Sequence, residues 1–367
     1  MDFCLNKLEL SDALSNLIKI TPNRTTLPIL STVYIKTKET EGVVLRCTDL
    51  EVDLEIEIDS QNLEAGEVCC PIHKLFEVIN TVPEELVSIN VNETNRMRIK
   101  TKTGKYSIAC QKTEEFPDQR DFTEENPPKI DGSFLYNTIK NTVYTCSKDE
   151  LKPMLNGVLL DVQDEKITAV STDGHRLVKF IIPQKNKTNC TVLVPQKFLN
   201  IVASGTINTK KTKLEVHNEY ILIKTEKQKI SSRLINEKFP DYKKVIPENS
   251  PQTTTVKTKD LLETVKRVSL MSNKTTKQVV LKFNTNKIVV TAEDHETGGS
   301  AIDEVEGEHN GEELKIGFNG NLLIDILKHQ QTEKIHLLTN APLSAMLIKQ
   351  ENEKETKTTT LLMPIRI

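Results

Sequence analysis

The chain is 367 residues long, with 37% hydrophobic and 28% charged residues, a length and balance that fit two or three globular domains and exclude an intrinsically disordered chain. Lys and Arg number 49 against 52 Asp and Glu, a net charge of -3, so a nucleic-acid partner is neither supported nor excluded and would need basic side chains gathered on one surface. No stretch approaches the roughly 18 apolar residues of a membrane span, and the start Met1-Asp2-Phe3-Cys4 lacks a basic leader, which predicts a cytoplasmic protein with no membrane partner.

In chain order, Leu8, Leu10, Ala13, Leu14, Leu17 and Ile18 keep the helical spacing that predicts a first helix. Short apolar runs at 33–35 and 43–45 follow. Then Val52, Leu54, Ile56 and Ile58 alternate with Glu51, Asp53, Glu55, Glu57 and Asp59, the period of a strand with one wet face. Leu75, Phe76, Val78 and Ile79 predict a second, shorter helix before further runs at 87–91, 97–99 and 106–108. Turn formers separate these runs, which predicts antiparallel sheet and not helix-connected parallel strands. Beyond Pro127-Pro128, read as a linker, helices are expected at 134–144 and 260–270, a second linker at 247–255 and a last helix-like stretch at 318–327. Seven cysteines, Cys4, Cys47, Cys69, Cys70, Cys110, Cys146 and Cys190, form no CxxC pair, which predicts reduced thiols, several of them filling apolar core.

Landmarks along the chain recur with a period of about 124 residues. Thr48-Asp49-Leu50 recurs as Thr172-Asp173-Gly174, and 172 minus 48 is 124. Pro71-Ile72-His73-Lys74-Leu75-Phe76 recurs as Pro195-Gln196-Lys197-Phe198-Leu199, again 124 residues on. Glu115-Phe116-Pro117-Asp118 recurs as Lys238-Phe239-Pro240-Asp241 at an offset of 123, and Met363-Pro364 lies 124 beyond Phe239. The expected architecture is an α+β unit with two helices and antiparallel sheets, used three times over 1–124, 125–247 and 248–367.

With Thr26-Leu27-Pro28-Ile29-Leu30, Thr48-Asp49-Leu50-Glu51, Thr172-Asp173-Gly174-His175-Arg176-Leu177, Phe239-Pro240-Asp241-Tyr242 and the terminal Met363-Pro364-Ile365-Arg366-Ile367, the chain resembles, end to end, the bacterial DNA sliding clamp, the beta subunit of DNA polymerase III. The resemblance implies three domains of the DNA-clamp type that close, as a head-to-tail homodimer, into a ring around double-stranded DNA of any sequence. It implies a processivity factor with no catalytic residue and no cofactor. Its partners would be the DNA polymerase III catalytic subunit, an ATP-dependent clamp loader, and other replication and repair proteins with clamp-binding peptides. Helix packing offers a check on the ring: twelve helices spaced at about 9 Å enclose a hole of roughly 24 Å after side chains are subtracted, wider than a duplex of about 20 Å. Six helices from one chain would give only about 17 Å between helix axes, before side chains are subtracted, so two copies are needed.

By the same resemblance, Leu155, Thr172, Gly174, His175, Arg176, Leu177, Pro240, Val245, Leu361, Met363, Pro364, Ile365 and Arg366 line a pocket for short apolar peptide motifs. The mixture suits that task, with aliphatic side chains, Pro and adaptable Met forming a cleft, and His and Arg supplying oriented donors at its rim. DNA phosphate would meet Lys19 and Arg24 after the first helix, and Lys74, Lys140, Lys197, Lys266 and Arg267. Arg24 and Lys197 are preferred because they match family positions facing the duplex, and a solvated surface role is the alternative for each of the lysines. Mobile phosphate contacts without base readout suit a protein that slides. Tyr106 and Ile108 on an edge strand would meet Leu270 and Met271 of the other protomer; the alternative is that all four are ordinary core residues. Two departures stand out. Lys152-Pro153-Met154 occupies a loop where relatives often place Tyr or Arg before the leucine, which puts its DNA or peptide contacts in doubt, and Ile367 stands where Leu is common.

A hydrolase reading would rest on Ser171, Asp173 and His175 in one turn-like segment. Residues at i and i+2 rarely supply nucleophile, base and orienter, and the sequence has no GxSxG elbow. Glu293, Asp294, His295 and Glu296 suggest a metal site, yet consecutive residues of a strand point to alternate faces, so a solvated strand end or turn is expected. Gly298-Gly299-Ser300 lacks the lysine that follows in a phosphate loop. A monomeric peptide-binding scaffold that does not encircle DNA is the remaining alternative, separable by native mass because a ring of two has twice the 41.5 kDa of one chain.

Overall fold

The structure is a computed structural model that describes all residues except 23, 40, 84, 102–103, 123, 125, 208–211 and 352–355. Residue 125, the expected start of the second segment, thus lies outside the described residues. Along the chain the order strand, helix, four strands, helix, three strands occurs three times. The helices are α1 (Lys7–Ile18), α2 (Ile72–Thr81), α3 (Leu135–Thr142), α4 (Gln196–Ala203), α5 (Thr258–Ser269) and α6 (Gly320–Lys328). The strand feeding the second helix of each repeat runs Gly66–Pro71, Cys190–Pro195 and Leu314–Asn319, so the period of 124 (190 minus 66, 314 minus 190) holds through all three copies. None of these helices is long and apolar enough to cross a membrane.

Local chemistry starts and stops the helices. Asn6 caps α1 by accepting from the Leu8 and Glu9 N–H groups, and the buried stripe Leu10, Ala13, Leu14 and Leu17 follows at helical spacing. Asn319 caps α6 in the same way, accepting from Asn321 and Leu322. The helix-like stretch expected at 318–327 is corrected accordingly, because Phe318 and Asn319 end a strand and the helix begins at Gly320. The helix expected at 134–144 is also shorter, with 3-10 turns Gly132–Phe134 and Val143–Thr145 on either side of α3. The linker expected at 247–255 is overturned at its end: Gln252–Lys257 is a strand held between Gly299–Asn310 and Lys334–Thr339. Its threonines look polar in sequence, but their β-branched side chains suit a strand, and Thr254 is fully buried.

The described residues form two compact units, Met1–Ser133 with Lys197–Leu234, and Phe134–Gln196 with Ile235–Ile367. In the first, α1 packs on α2, and a continuous antiparallel sheet runs from Lys105–Ala109 through Arg96–Lys100, Leu86–Val91, Asp2–Asn6, Val52–Glu64, Gln228–Arg233, Tyr220–Lys224 and Lys213–Val216 to Lys129–Asp131. Glu41–Thr48, Thr32–Thr37 and Gly66–Pro71 branch from Val52–Glu64. In the second, α5 packs on α6 and the sheet runs from Cys190–Pro195 through Gly157–Gln163, Lys166–Thr172, Arg176–Pro183, Lys357–Leu362, Met346–Gln350, Lys334–Thr339, Gln252–Lys257, Gly299–Asn310, Lys287–Asp294 and Gln278–Asn284 to Leu314–Asn319. Both units contain the same joint. The fourth strand of one repeat, Val52–Glu64 or Arg176–Pro183, pairs with the eighth strand of the next, Gln228–Arg233 or Lys357–Leu362.

The alternation predicted around Val52 to Ile58 holds with one departure, the buried Asp53. Arg46, also buried, donates Nη2 to its carboxylate at 2.6 Å and Nε at 3.1 Å. The same guanidinium donates to the carbonyls of Pro117 and Asp118, both at 2.8 Å, and so docks the Phe116-Pro117-Asp118 landmark. Breaking a buried ion pair is costly because the survivor is left desolvated and alone. Arg46→Leu should therefore lower the unfolding free energy by ~3–5 kcal/mol in a urea titration. Arg46→Val with Asp53→Leu, the residues found 124 positions later at Val170 and Leu177, should recover most of the loss. Equal destabilisation by both variants would refute the ion-pair account.

Candidate functional site

The turn between Lys166–Thr172 and Arg176–Pro183 is built by its own side chains. Thr172 Oγ1 donates to the Arg176 carbonyl at 2.7 Å and accepts from the Gly174 N–H at 3.1 Å. Asp173 Oδ1 accepts from the N–H groups of His175 and Arg176, both at 2.9 Å. Gly174 takes φ 91°, a conformation open to glycine. The first repeat makes the same turn with Thr48, Asp49 and Val52, and holds Leu50 at φ 77° in the place of that glycine. The Thr-Asp landmark is thus turn chemistry.

Beyond this turn, Leu177 and Leu361 face each other across paired strands and join an apolar cluster with Val170, Leu193, Phe239, Tyr242, Ala345 and Leu347. The rings of Phe239 and Tyr242 meet edge to face at 6.5 Å. Pro240 and Val245, next along the chain, are exposed, as are Gly174, His175 and Met363. The Met363 N–H donates to the His175 carbonyl at 2.9 Å, which ties the C-terminal segment to the turn. Thr172 is buried, and so is Leu155, in the 3-10 turn Pro153–Leu155. That turn contains the divergent Pro153 and Met154, and Lys152 before it pairs with Asp149 at 3.7 Å. Pro364, half-buried, leads the tail away: the Ile365 N–H donates to the Gly317 carbonyl at 2.8 Å, and the carbonyl of the exposed Arg366 accepts from Gln278 Nε2 at 3.2 Å. A Cβ at position 317 would come within 2.9 Å of the Ile365 carbonyl oxygen, so glycine is required where the tail crosses. Sequence reasoning missed six members of the cluster. For Val170 the signal was its period-two relation to Thr172, and Phe239 was already a repeat landmark.

Arg176 requires a correction. Expected as a donor at the rim, it is 7% exposed and its donors are committed inside the unit. Nε donates to Asp173 Oδ2 at 3.0 Å, Nη1 to Asp325 Oδ2 at 2.5 Å and Nη2 to the Tyr144 carbonyl at 2.8 Å. Its guanidinium lies 5.3 Å from the centre of the Tyr144 ring, on which His329 stacks at 3.7 Å. Burial pushes the Tyr144 hydroxyl up, so that ring stays neutral. Arg176 therefore fastens the turn to α6, and His175 is left as the exposed donor of the pair.

Ser171, Asp173 and His175 do not converge. Ser171 is fully buried and donates to the Thr142 carbonyl at 2.6 Å, Asp173 caps the turn, and His175 faces solvent. Asp294 is likewise engaged in a turn, accepting from Asn273 Nδ2, the Glu296 N–H and Thr297 Oγ1, which hold its carboxyl below the usual range. His295 is solvent-exposed and 3.8 Å from Glu293.

Most of the candidate phosphate contacts already hold partners. Lys197 donates to Asp49, Lys74 lies 3.4 Å from Glu77, Lys266 donates to Glu263 at 2.7 Å and Arg267 to Asp303 at 2.6 Å. The hydrogen bonds from Lys266 and Arg267 hold the Glu263 and Asp303 carboxyls below their usual range. Lys19 donates to Asn16 Oδ1 at 2.9 Å and Ser204 Oγ at 3.0 Å, and burial lowers its pKa. Arg24 and Lys140 are exposed and make no ion pair among the described residues.

Among the described fourth and eighth strands, two keep an open edge. Lys105–Ala109, the eighth strand of the first repeat, pairs only with Arg96–Lys100 among the described strands. Gly299–Asn310, the fourth strand of the third repeat, pairs with Lys287–Asp294 along one edge, and its other edge meets Gln252–Lys257 only from Gly307 onward. Tyr106 is exposed, whereas Ile108 is 6% exposed beside Met97, as in the core alternative for that residue. Leu270 is 80% exposed and Met271 partly so, and both line a cleft of about 530 Å³ with Lys266, Lys274, Lys277 and Ile324. Ile302, on the open edge and 75% exposed, was missed because one isoleucine among Asp303, Glu304 and Glu306 carries no apolar period.

Comparison with known proteins covers nearly the whole chain. Models of the DNA polymerase III beta subunit match as its N-terminal domain at residues 1–120, its central domain at 129–241 and its C-terminal domain at 243–366. The chain is 25% identical over 372 residues to the beta sliding clamp of Haemophilus influenzae, with 100% of both covered. It is 28% identical over 387 residues to that of Halalkalibacterium halodurans, again with 100% of both covered. Among solved structures, the DNA polymerase III subunit beta from Pseudomonas aeruginosa is similar at a TM-score of 0.93 and 26% identity, with 100% of each chain covered. The repeated unit, its joints and these matches together place the chain in the sliding-clamp family, the beta subunits of DNA polymerase III.

Proposed function

We propose that two copies of this chain close head to tail into a ring that encircles duplex DNA of any sequence and tethers the DNA polymerase III catalytic subunit to it. The observation that carries the reading is the repeated joint. Fourth strand meets eighth strand once within each unit, and the only remaining fourth and eighth strands among those described, Gly299–Asn310 and Lys105–Ala109, have open edges that a second copy would complete. Such a heterologous contact closes after two copies into six repeats, with 1–124, 125–247 and 248–367 as its domains. Exposed Leu270, Met271, Ile302 and Tyr106 would be covered at that contact.

The apolar cluster around Leu177 and Leu361, flanked by exposed Pro240, Val245 and Met363, is the proposed seat for partner peptides. Polymerase, an ATP-dependent clamp loader and other replication and repair proteins would share it in the cytoplasm. The chain's part is topological and not catalytic.

Deleting Met363 to Ile367 removes the segment tied to His175 and Gly317 and should weaken binding of a short apolar motif peptide at least ~10-fold by fluorescence anisotropy, a loss of ~1.4 kcal/mol, while native mass stays dimeric. Unchanged affinity would remove the pocket from this segment. Leu270→Asp with Met271→Asp should give monomers by native mass spectrometry, since two carboxylates would be desolvated at the contact; a persisting dimer rules out this face, and a wild-type monomer favours the scaffold reading. Protein loaded onto nicked circular DNA should stay bound in 1 M salt and be lost when the circle is cut, because threading is insensitive to screening. Loss from the intact circle on raising salt would mean binding without encirclement.

A further inference from the structure

We propose that Cys110 and Cys70 form a peroxide-sensitive dithiol that closes into a disulfide within one chain. Cys69 and Gln111 exchange both backbone hydrogen bonds, the Cys69 N–H to Gln111 at 3.1 Å and the Gln111 N–H to Cys69 at 2.8 Å. In antiparallel pairing the next residues on each chain, Cys70 and Cys110, stand directly opposite as a non-hydrogen-bonded pair. Such pairs bring Cα atoms to about 4.5 Å, within the roughly 4.4–6.8 Å that a disulfide spans. Each thiol also shifts the ionisation of the other.

Their environments differ in a way that assigns roles. Cys70 is fully buried, with its sulfur 3.8 Å from Met97 Sδ. Cys110 is half-buried, and the neighbouring Cys70 thiol holds the Cys110 thiol below the ordinary range, while Cys70 is held above it. Cys110 is thus the accessible nucleophile and Cys70 the resolving thiol. The other half-buried cysteines face no thiol across their strands: Cys4 pairs with Gln61 and Ser88, and Cys190 with Val162.

The Cys110 thiolate sulfur attacks one oxygen of hydrogen peroxide, the O–O bond breaks and hydroxide leaves, taking up a proton to become water. Cys70 sulfur then attacks the sulfenic sulfur of Cys110, the S–O bond breaks, and the departing hydroxyl leaves as water with the Cys70 proton. Two thiols and one peroxide thereby become one disulfide and two waters. The new bond would fasten the residue just beyond Lys105–Ala109, an open sheet edge, to Gly66–Pro71, the strand that feeds α2.

The test treats the full-length protein with hydrogen peroxide, blocks remaining thiols and counts them after denaturation. The count should fall by two from the seven in the sequence, peptide mapping should show a 70–110 link, and dithiothreitol should restore all seven. Cys69→Ser should behave alike at 70 and 110. Cys70→Ser should stop at a sulfenic acid on Cys110 that dimedone traps, and Cys110→Ser should leave Cys70 reduced, with circular dichroism showing that each variant folds. A 69–110 link, an unchanged thiol count, or a lasting dimedone adduct on Cys110 in the unsubstituted protein overturns the proposal.

Discussion

An exposed strand edge is a row of backbone donors and acceptors without partners, and proteins must cover, blunt or pair it. This molecule turns that requirement into its connector. Val52 to Ile56 pairs with Ser232 to Gln228, and Arg176 to Ile181 with Leu362 to Lys357, in the same antiparallel sense. Because each joint is a run of main-chain hydrogen bonds, it tolerates wide divergence in side chains between the repeats. The turn before the fourth strand is kept by Thr and Asp in the first two repeats, since those side chains set the angle at which that strand enters its joint.

A repeated scaffold need not repeat its chemistry. Positions 46 and 53 correspond, at the 124-residue offset, to 170 and 177. In the middle repeat these are Val170 and Leu177, which extend an apolar cluster toward Phe239 and Leu361. In the first repeat they are Arg46 and Asp53, whose ion pair also binds the carbonyls after Phe116. Phe116 there packs with Ile29, Leu30, Cys69 and Tyr34, the last at 5.3 Å between rings. One copy of the cluster is thus joined by an ion pair while the other is apolar, a difference made by two substitutions on neighbouring strands.

Much of the fold was legible because it follows local rules. Alternation at 52–58, the apolar stripes of the helices, and the offset of the landmarks each carry their own physical cause. Longer-range features were not legible. Asp53 reads as the wet side of a strand until Arg46 is placed beside it, and Arg176 reads as a surface donor until Asp325, 149 residues away, takes its guanidinium. Ile302 and the open edge it sits on could be found only once strand pairing showed which edges lacked a neighbour. The threonine-rich strand after Pro247 was hidden because hydrophobicity, not β-branching, was the cue.

The engagement of Lys74, Lys197, Lys266 and Arg267 with carboxylates of their own chain bears on movement. A cation freed by folding would seize a passing polyanion and hold it, whereas one that already has an anion can only trade one oxygen ligand for another of similar strength. In the proposed ring, attraction at each such cation would be shallow, and a load could drift past it with little friction.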